Sequence, residues 1–240
     1  METPLLPRAT ATMISPSRFP DAPAAARPEV NGYRTLPFAS CYVYVPRGEG
    51  LLSEAGHLLC QRVKTSDPRW LPRYAVQVLE LCARESSFRE LFARDAWLVP
   101  VPGCTPAAVE SAVAHRLAVA LHALGLAHEV WPGITRRVAV TRSATAVVGN
   151  RPSVRQHYES FSLALAPRLP PRRIVLVDDV ITKGRTLLAA AARLRGQFPH
   201  ADIRAFAMVR TMGFLHRAER LLEPCVGFVH WGNGDARREP

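Results

Sequence analysis

The stretch IVLVDDVITKGRT, residues 174–186, decides the fold predicted for this chain. Its first four residues are apolar and mostly β-branched, which is typical of a strand buried on both faces of a parallel sheet. Two aspartates follow this run, and the stretch then enters an apolar helix predicted over residues 187–194. A buried strand, a polar turn and a helix in succession predict an α/β fold, in which right-handed crossovers connect parallel strands.

The same alternation of strands and helices continues on both sides of that stretch. Short apolar runs predict further strands at residues 41–45, 97–101, 128–131, 138–140, 203–209 and 226–230. Helical periodicity predicts helices at residues 51–63, 73–83 and 105–124, the last with Thr105 as its N-cap and Gly125 after its end. The predicted fold is therefore a parallel sheet flanked by helices, which binds ligands at the carboxyl ends of its strands.

Composition divides the chain into four parts. Residues 1–32 carry six prolines and no sustained hydrophobic period, so a disordered leader is predicted there. Residues 33–94 are expected to form an N-terminal part, and residues 95–231 hold the alternating strands and helices of the core. The last segment, residues 232–240, is predicted to be a flexible tail.

Composition also limits the class of protein. The chain has 240 residues, of which 48% are hydrophobic, and both values are ordinary for one or two globular domains. No apolar run approaches the roughly 18 residues of a membrane span, and the N-terminus has no recognisable secretory signal. Five cysteines without a two-residue spacing favour reduced thiols over a disulfide framework or a zinc ribbon, so a cytoplasmic protein is expected.

The charge balance favours an anionic partner without deciding which one. The formal net charge is +11, and 29 of the 31 basic residues are arginines. Such a balance suits a nucleic acid or a small polyphosphate. It equally suits a genome that encodes arginine often, because the arginines are scattered along the chain and do not form one basic stripe.

The residues from Asp178 to Thr186 could together hold a phosphorylated sugar. Two adjacent carboxylates, Asp178 and Asp179, are costly at a buried strand end unless they accept hydrogen bonds or face a cation. The vicinal hydroxyls of a sugar would supply such donors, and a two-carboxylate metal site is the rival interpretation. Residues 182–186 then lead into a helix N-terminus, whose free amides and threonine hydroxyls can hold a phosphate. Gly184 would allow the backbone to approach that ligand closely.

This stretch resembles the phosphoribosyl-diphosphate (PRPP) binding signature of type I phosphoribosyltransferases. The family pattern has four apolar residues, an acidic residue followed by Asp, two apolar residues and a Thr-rich phosphate loop that contains Gly. Lys183 departs from this pattern, since a small or hydroxyl residue is commoner there. The resemblance implies PRPP contacts from nine residues of this chain, which are Asp178, Asp179, Val180, Ile181, Thr182, Lys183, Gly184, Arg185 and Thr186.

Two further segments are similar to the same family. Residues 95–103, DAWLVPVPG, resemble the strand and loop that meet the diphosphate, particularly in the competence-protein-F-like branch, whose cysteine-rich zinc module has no counterpart here. The resemblance implies diphosphate contacts from Val101, Pro102, Gly103 and Cys104. Residues 142–161 lie where the family has a mobile catalytic loop, and its arginines and glutamine are loosely matched by Arg142, Arg151, Arg155 and Gln156. A lone histidine in this segment, His157, is expected to be solvated.

The resemblance implies transfer of the 5-phosphoribosyl group from PRPP to a nitrogen acceptor, such as a nucleobase, with release of diphosphate. Mg²⁺ would accompany PRPP, with Asp178 and Asp179 as candidate protein ligands. Arg142, Arg155 and Asp179 are the expected catalytic residues. Residues 33–94 would form a small hood over the site.

Three alternatives to this enzyme stay open. The same fold can serve as a PRPP-binding regulator without transfer activity, and the basic composition suits a version of that sensor that associates with nucleic acid. The third alternative is a subunit whose acceptor site is completed by another chain. A homo-oligomer is compatible with the sequence, no membrane partner is expected, and no recognisable motif specifies the acceptor.

Overall fold

One seven-stranded sheet organises the fold. The structure is a computed structural model, and it describes residues 33–65, 67–107, 112–141 and 151–240. In chain order, the strands are β1 (Thr35–Tyr44), β2 (Ala96–Pro100), β3 (Glu129–Val130), β4 (Ile134–Arg136), β5 (Phe161–Leu163), β6 (Arg173–Ile181), β7 (Asp202–Thr211), β8 (Leu222–Gly232) and β9 (Asp235–Glu239). Strands β4 and β5 form a separate antiparallel pair, and the other seven form the main sheet.

The main sheet is mostly parallel. Its strand order is β3-β2-β6-β7-β1-β8-β9. The first five strands of this order pair in parallel, and β8 and β9 add two antiparallel strands at one edge. The prediction of an α/β protein with a mostly parallel sheet flanked by helices is therefore confirmed.

Helices cover both faces of the sheet. They are α1 (Leu51–Thr65), α2 (Leu71–Arg84), α3 (Ser86–Leu91), α4 (Val113–Ala123), α5 (Val154–Ser160) and α6 (Arg185–Gln197). Side chains of α1 to α4 pack into one core cluster, and those of α5 and α6 pack into a second one. Strand β6 supplies both clusters, because its successive side chains alternate between the two faces. Val175 and Val177 face the first cluster, while Ile174 and Leu176 face the second.

Part of the segment predicted to form a small hood, residues 33–94, belongs to the main sheet. Its strand β1 lies inside the main sheet, where Phe38 pairs with Ala205 of β7 on one edge and with Gly227 of β8 on the other. Leu36 and Phe38 are fully buried in the second core cluster. The apolar side chains of β1 face both core clusters, which suits an interior strand of a sheet that is covered on both faces.

The prediction of a flexible tail at residues 232–240 is also wrong. Strand β9 pairs antiparallel with β8, and Trp231 lies opposite Ala236. The two strands are joined by Asn233 and Gly234, whose φ angles are 52° and 76°. Two residues with positive φ form the hairpin turn that an Asn-Gly pair favours, and this pair is the sequence signal for β9.

Some predicted elements begin elsewhere in the structure. The helix predicted to start after Thr105 starts at Val113, and residues 105–107 are not helical. The preceding carbonyl of Cys104 accepts a hydrogen bond from the Val140 N–H at 2.8 Å, which holds the loop against residue 140. Residues 138–140 form no strand, and the strand in that region is β4. The leader predicted at residues 1–32 lies outside the described residues.

No helix in the described part of the chain combines the length and apolar character that crossing a membrane requires.

Replacing Gly227 with alanine should destabilise the C-terminal hairpin. A Cβ at this position would lie 2.2 Å from the carbonyl oxygen of Glu239 and 2.7 Å from Pro240. Overpacking of this kind costs about 1–3 kcal/mol, and each kcal/mol lowers the melting temperature by about 2–4 °C in a protein of this size. Thermal denaturation measures the effect, with Gly213→Ala as the control because a Cβ there meets nothing within 4 Å. An unchanged melting temperature for Gly227→Ala would mean that β9 is not docked on β8.

Candidate functional site

The strand order places a topological switch point between β2 and β6, and we call the space beyond their carboxyl ends the crevice. Strand β2 leads through α4 to β3 on one side, whereas β6 leads through α6 to β7 on the other side. The helices of these two connections pack on opposite faces of the sheet. The carboxyl ends of β2 and β6 are therefore neighbours whose following loops diverge, and α/β proteins bind ligands at such a switch point.

Strand β6 continues beyond the end of its neighbour β2. Pairing with β2 ends where Pro100 lies opposite Val177, and the Val101 N–H donates to the Val177 carbonyl at 2.9 Å. Strand β6 then runs on to Ile181, paired with β7. Asp178 and Asp179 were predicted to follow the strand, but they lie within it, because β7 extends the pairing by four more residues. Within the described residues, no strand covers the β2-side edge of residues 178–181.

The two carboxylates satisfy nearby backbone amides. An oxygen of Asp178 accepts a hydrogen bond from the Asp179 N–H at 2.9 Å, and an oxygen of Asp179 accepts one from the Val180 N–H at 2.8 Å. Burial and the neighbouring negative charge of Asp179 raise the pKa of Asp178 well above its usual range. Hydroxyl donors or a cation arriving at the site would relieve this cost.

Asp178 and Asp179 lie on opposite faces of β6. Asp178 pairs in the sheet with Ala207, which belongs to the α6 cluster, and the positive charge of Arg136 partly opposes the rise in its pKa. Asp179 interacts with α1 on the other side. Burial raises the pKa of Cys60 in that helix, and the negative charge of Asp179 adds to this rise while Lys64 opposes it. A ligand that contacts both carboxylates must therefore lie across the end of the strand.

The side chains of the next two residues belong to the hydrophobic core. Val180 is half-buried against the α1–α4 cluster, and Ile181 is fully buried in the α6 cluster. Their predicted PRPP contacts can therefore come only from the backbone.

Gly184 starts helix α6 in a conformation that glycine favours. Its φ of 80° and ψ of 12° are left-handed, and the Leu188 N–H donates to its carbonyl at 2.9 Å. A Cβ at Gly184 would lie 2.5 Å from the side chain of Val229. The fold itself thus requires glycine here, beyond the close ligand approach that was predicted. Thr182 and Lys183 precede it in exposed positions, and Thr186 lies in the first turn of the helix.

The two cations beside this loop are ion-paired with one carboxylate. Arg185 donates to both oxygens of Asp235, at 2.6 Å to one of them, and Lys183 Nζ lies 2.9 Å from the same carboxylate. Partial burial raises the pKa of Asp235, but the hydrogen bonds from Arg185 and Lys183 outweigh this effect and lower the pKa to about 2. Asp235 is the first residue of β9. Its ion pairs were not expected, because residues 232–240 were predicted to be a flexible tail.

The loop after β2 has carbonyl groups bound within the protein. The carbonyl of Gly103 accepts a hydrogen bond from Arg136 Nε, and the carbonyl of Cys104 accepts one from Val140. In a trans peptide the N–H points opposite to the carbonyl, so the Cys104 N–H points away from Arg136. Pro102 and Cys104 are partly exposed and Gly103 is exposed, while Val101 is buried. The Val101 N–H is bound to Val177 and Pro102 has no N–H, so the amides that this loop could offer to a ligand are those of Gly103 and Cys104. Diphosphate contact with residues 101–104 stays a prediction.

Arg136 is a buried cation that sequence reasoning missed. Its side chain is only 6% exposed, it donates to the hydroxyl of Ser160, and it lies 4.4 Å from the centre of the Phe161 ring. Burial lowers its pKa to about 10, and the negative charge of Asp178 opposes this shift. Its hydrogen-bond partners within the described residues are a carbonyl, a hydroxyl and an imidazole, none of which is a carboxylate. It belongs to a three-residue strand with no motif, and only the tertiary fold brings it under the loop.

His157 was predicted to be solvated, but it is buried, with 4% of its surface exposed. Its Nδ1 lies 3.5 Å from a guanidinium nitrogen of Arg136, and its Nε2 lies 3.4 Å from the Thr186 hydroxyl. Burial, together with the charges of Arg136 and Arg185, lowers the pKa of His157 to about 4. A neutral imidazole that accepts from Arg136 donates from Nε2, so the Thr186 hydroxyl accepts and keeps its own proton for a ligand.

The segment predicted to be a mobile catalytic loop contains helix α5. Arg142 lies outside the described residues. Arg155 is exposed on α5, where its Nε donates to Glu159 at 2.8 Å. Gln156 caps the helix, because its side chain accepts from the Ser153 N–H while its own N–H donates to the Ser153 hydroxyl. The carbonyl of Arg151 accepts from Arg185 at 3.3 Å. These residues therefore build α5 and anchor its start.

Comparison with protein-family models gives no match for this chain, and neither does comparison with curated proteins. The interpretation of the crevice therefore depends on its geometry. That geometry places two carboxylates, a helix N-terminus and the backbone of a second loop around the carboxyl ends of two adjacent strands. Such groups can accept from hydroxyls and donate to anions.

Replacing His157 with glutamine should remove part of the pH dependence of stability. Because folding lowers the pKa of His157 to about 4, the unfolded chain binds more protons between about pH 6.5 and pH 4. The free energy of unfolding of the parent should therefore fall by roughly 2–3 kcal/mol more than that of His157→Gln over this range. Denaturant titrations at pH 7, 5.5 and 4.5 measure the difference. The exposed His200→Gln is the control, and equal slopes in all three proteins would contradict the burial of a neutral His157.

Proposed function

We propose that this protein binds PRPP at the carboxyl ends of β2 and β6 and transfers its 5-phosphoribosyl group to a nitrogen acceptor. The observation that carries the proposal is the succession of Asp178, Asp179 and the loop at 182–184 into the N-terminus of α6, at the switch point of the sheet. Together with the sequence resemblance, this succession favours a type I phosphoribosyltransferase over a general α/β binding protein.

The ribose would lie across the open end of β6. Its 2′- and 3′-hydroxyls would donate to Asp178 and Asp179, one on each face of the strand. Donation by a hydroxyl favours the ionised carboxylate, which offsets the raised pKa of Asp178 in the empty site. The 5′-phosphate would lie at the N-terminus of α6, where it accepts from free amides and from the Thr182 and Thr186 hydroxyls.

The diphosphate would contact the loop at residues 101–104. The Cys104 N–H points away from Arg136 and so is available to an anion. Behind that loop, the guanidinium of Arg136 adds positive potential without occupying the ligand position. In the reaction, the bond from C1′ to the diphosphate oxygen breaks and its electron pair leaves with diphosphate. The acceptor nitrogen forms the new bond to C1′ and loses its proton.

The carboxylates also fit Mg²⁺ that arrives with the substrate. Mg²⁺ prefers hard oxygen ligands and is often held by one or two carboxylates together with substrate phosphates. Within the described residues, no three His, Cys, Asp or Glu side chains form a metal cluster, so Asp178 and Asp179 would contribute only part of its coordination. When bound, the metal neutralises negative charge on the leaving diphosphate.

A cover over the site would exclude water from the reacting sugar. We assign this role to residues 142–161, the segment that resembles the family's mobile loop, in which Arg142 and Arg155 would contact diphosphate in the closed state. For this contact Arg155 must exchange Glu159 for the substrate, and an exposed i,i+4 pair of this kind is worth only about 0.3–0.5 kcal/mol. We also propose that the protein acts in the cytoplasm.

A PRPP-binding regulator without transfer activity is the second candidate. The observation that favours it is that protein carboxylates already pair with the cations near the site, Asp235 with Lys183 and Arg185, and Glu159 with Arg155. A sensor needs only ribose and phosphate contacts, whereas a transferase needs cations free for the leaving group. The net charge of +11 suits a sensor that associates with nucleic acid.

The double variant Asp178→Asn, Asp179→Asn should lose PRPP binding and stay folded. Each charged hydrogen bond contributes about 1.5–3 kcal/mol, so affinity should fall by at least about 100-fold. Because folding raises the pKa of Asp178, ionisation of this carboxyl opposes folding at neutral pH, and the melting temperature without ligand should not fall. Calorimetric titration with Mg²⁺ and PRPP measures binding, and Asp95→Asn, which removes one of the two carboxylate partners of Arg173, is the control. Full affinity in the double variant would overturn the ribose assignment.

Diphosphate release separates the enzyme from the sensor. With Mg²⁺ and PRPP, a panel of nucleobases and related nitrogen acceptors should include at least one that supports diphosphate release above the rate of PRPP hydrolysis. Alanine at Arg142 and Arg155 should lower turnover more than PRPP affinity, because cover closure matters most in the transition state. Micromolar PRPP binding without release for any acceptor would favour the regulator.

A further inference from the structure

The carboxylate of Asp235 lies against the loop to which the 5′-phosphate is assigned. It is one-third exposed, and it pairs with Lys183 on the loop and with Arg185 in the first turn of α6. We propose that Asp235 is a positioning residue of this loop, which holds Lys183 in a resting ion pair that the ligand phosphate displaces. This inference deepens the proposed function and rests on the same phosphate site.

The two ion pairs of Asp235 differ in strength. The planar guanidinium of Arg185 contacts both carboxylate oxygens, and its side chain is 20% exposed. Lys183 makes one contact of 2.9 Å with a side chain that is 54% exposed. Bidentate, partly buried pairs are the strong ones, whereas exposed lysine pairs contribute little. Lys183 is therefore the cation that can exchange, and Arg185 stays bound.

The hairpin fixes the position of the Asp235 charge. Its carboxylate accepts from the Ala236 N–H at 2.8 Å, and Ala236 is buried in the α6 cluster. The same hairpin packs against the loop through Val229, which occupies the space next to Gly184. Asp235 therefore stays beside the loop when a phosphate arrives, and two like charges at close range lower the affinity.

Arg185 also connects the hairpin to the start of α5. Its guanidinium donates to the carbonyl of Arg151 at 3.3 Å and to that of Pro152 at 3.2 Å. With Asp235 on its other side, Arg185 joins three segments of the chain and is held by all of them. Only Lys183 therefore exchanges its contact with Asp235 for one with the phosphate.

Asp235→Asn tests this inference with ribose 5-phosphate as the probe. Asparagine keeps the shape of the side chain and removes its charge, so the loop should bind ribose 5-phosphate about tenfold more tightly in calorimetric titration. The matched control is Glu239→Gln, which removes one negative charge from the same strand β9 on the side that contacts His230 and Arg237. Its affinity should equal that of the parent. Asp235→Glu keeps the charge and should show no gain.

A double-variant cycle identifies the cation involved. In the parent, Asp235→Asn should raise the logarithm of the affinity for ribose 5-phosphate, because the released lysine supplies a new contact. In a Lys183→Ala background, the same substitution should raise it by less than half as much. A full gain without Lys183 would overturn the exchange and leave only charge repulsion. An unchanged or weaker affinity of Asp235→Asn, at an unchanged melting temperature, would overturn the whole inference. If Asp235→Asn does not fold, Lys183→Ala alone decides: equal affinity to the parent overturns the exchange, and a loss supports it.

Failure of this inference differs from failure of the proposed function. If Asp235→Asn brings no gain while the Asp178, Asp179 double variant loses PRPP, the ribose site stands and the role of Asp235 falls. If inorganic phosphate binds more tightly to Asp235→Asn while the parent binds no PRPP, the loop is an anion site and the phosphoribosyl assignment falls.

Discussion

Beyond Val177, strand β6 pairs with β7 on one edge and no longer pairs with β2 on the other. The candidate site depends on this half-paired end of β6. Pairing with β7 holds Asp178 and Asp179 within the strand, where Asp178 interacts with Arg136 on one side of the sheet and Asp179 with Cys60 of α1 on the other. Because β2 ends at Pro100, the edge of β6 beyond Val177 is open to a ligand. A longer β2 would close that edge, and a shorter β6 would place both carboxylates on a loop with no fixed direction.

The charges around the crevice are compensated to different extents. Asp235 is surrounded by donors and stays ionised, whereas Asp178 is half-buried beside another carboxylate and opposes folding when it ionises. Arg136 is buried against a carbonyl, a hydroxyl and an aromatic ring, none of which neutralises it. Buried charges with incomplete compensation reduce stability, and they occur where a ligand of opposite charge completes the set. This pattern is compatible with the ligand that we propose, which carries both hydroxyl and anionic groups.

Sequence reasoning succeeded where local chemistry determines structure. The strand at 174–177 and the helix after Gly184 were predicted because apolar runs and helical periodicity are visible in consecutive residues. Strand β9, whose sequence DARRE has almost no apolar pattern, was missed although the preceding Asn-Gly pair signalled a hairpin. Arg136 and His157 gain their importance from contacts with distant residues such as Gly103 and Thr186, and no local pattern reports such contacts.

The central position of β1 has a consequence for the order of folding. Phe38 forms its two sheet pairings with Ala205 and Gly227, both far along the chain. During synthesis, β1 is made well before its partner strands β7 and β8, so it cannot pair with them until they have been translated. Closing such long loops is entropically slow, so the rate-limiting step of folding should involve insertion of β1 between β7 and β8. Until then β1 exposes unpaired backbone N–H and C=O groups on both edges, and such edges can pair with another chain.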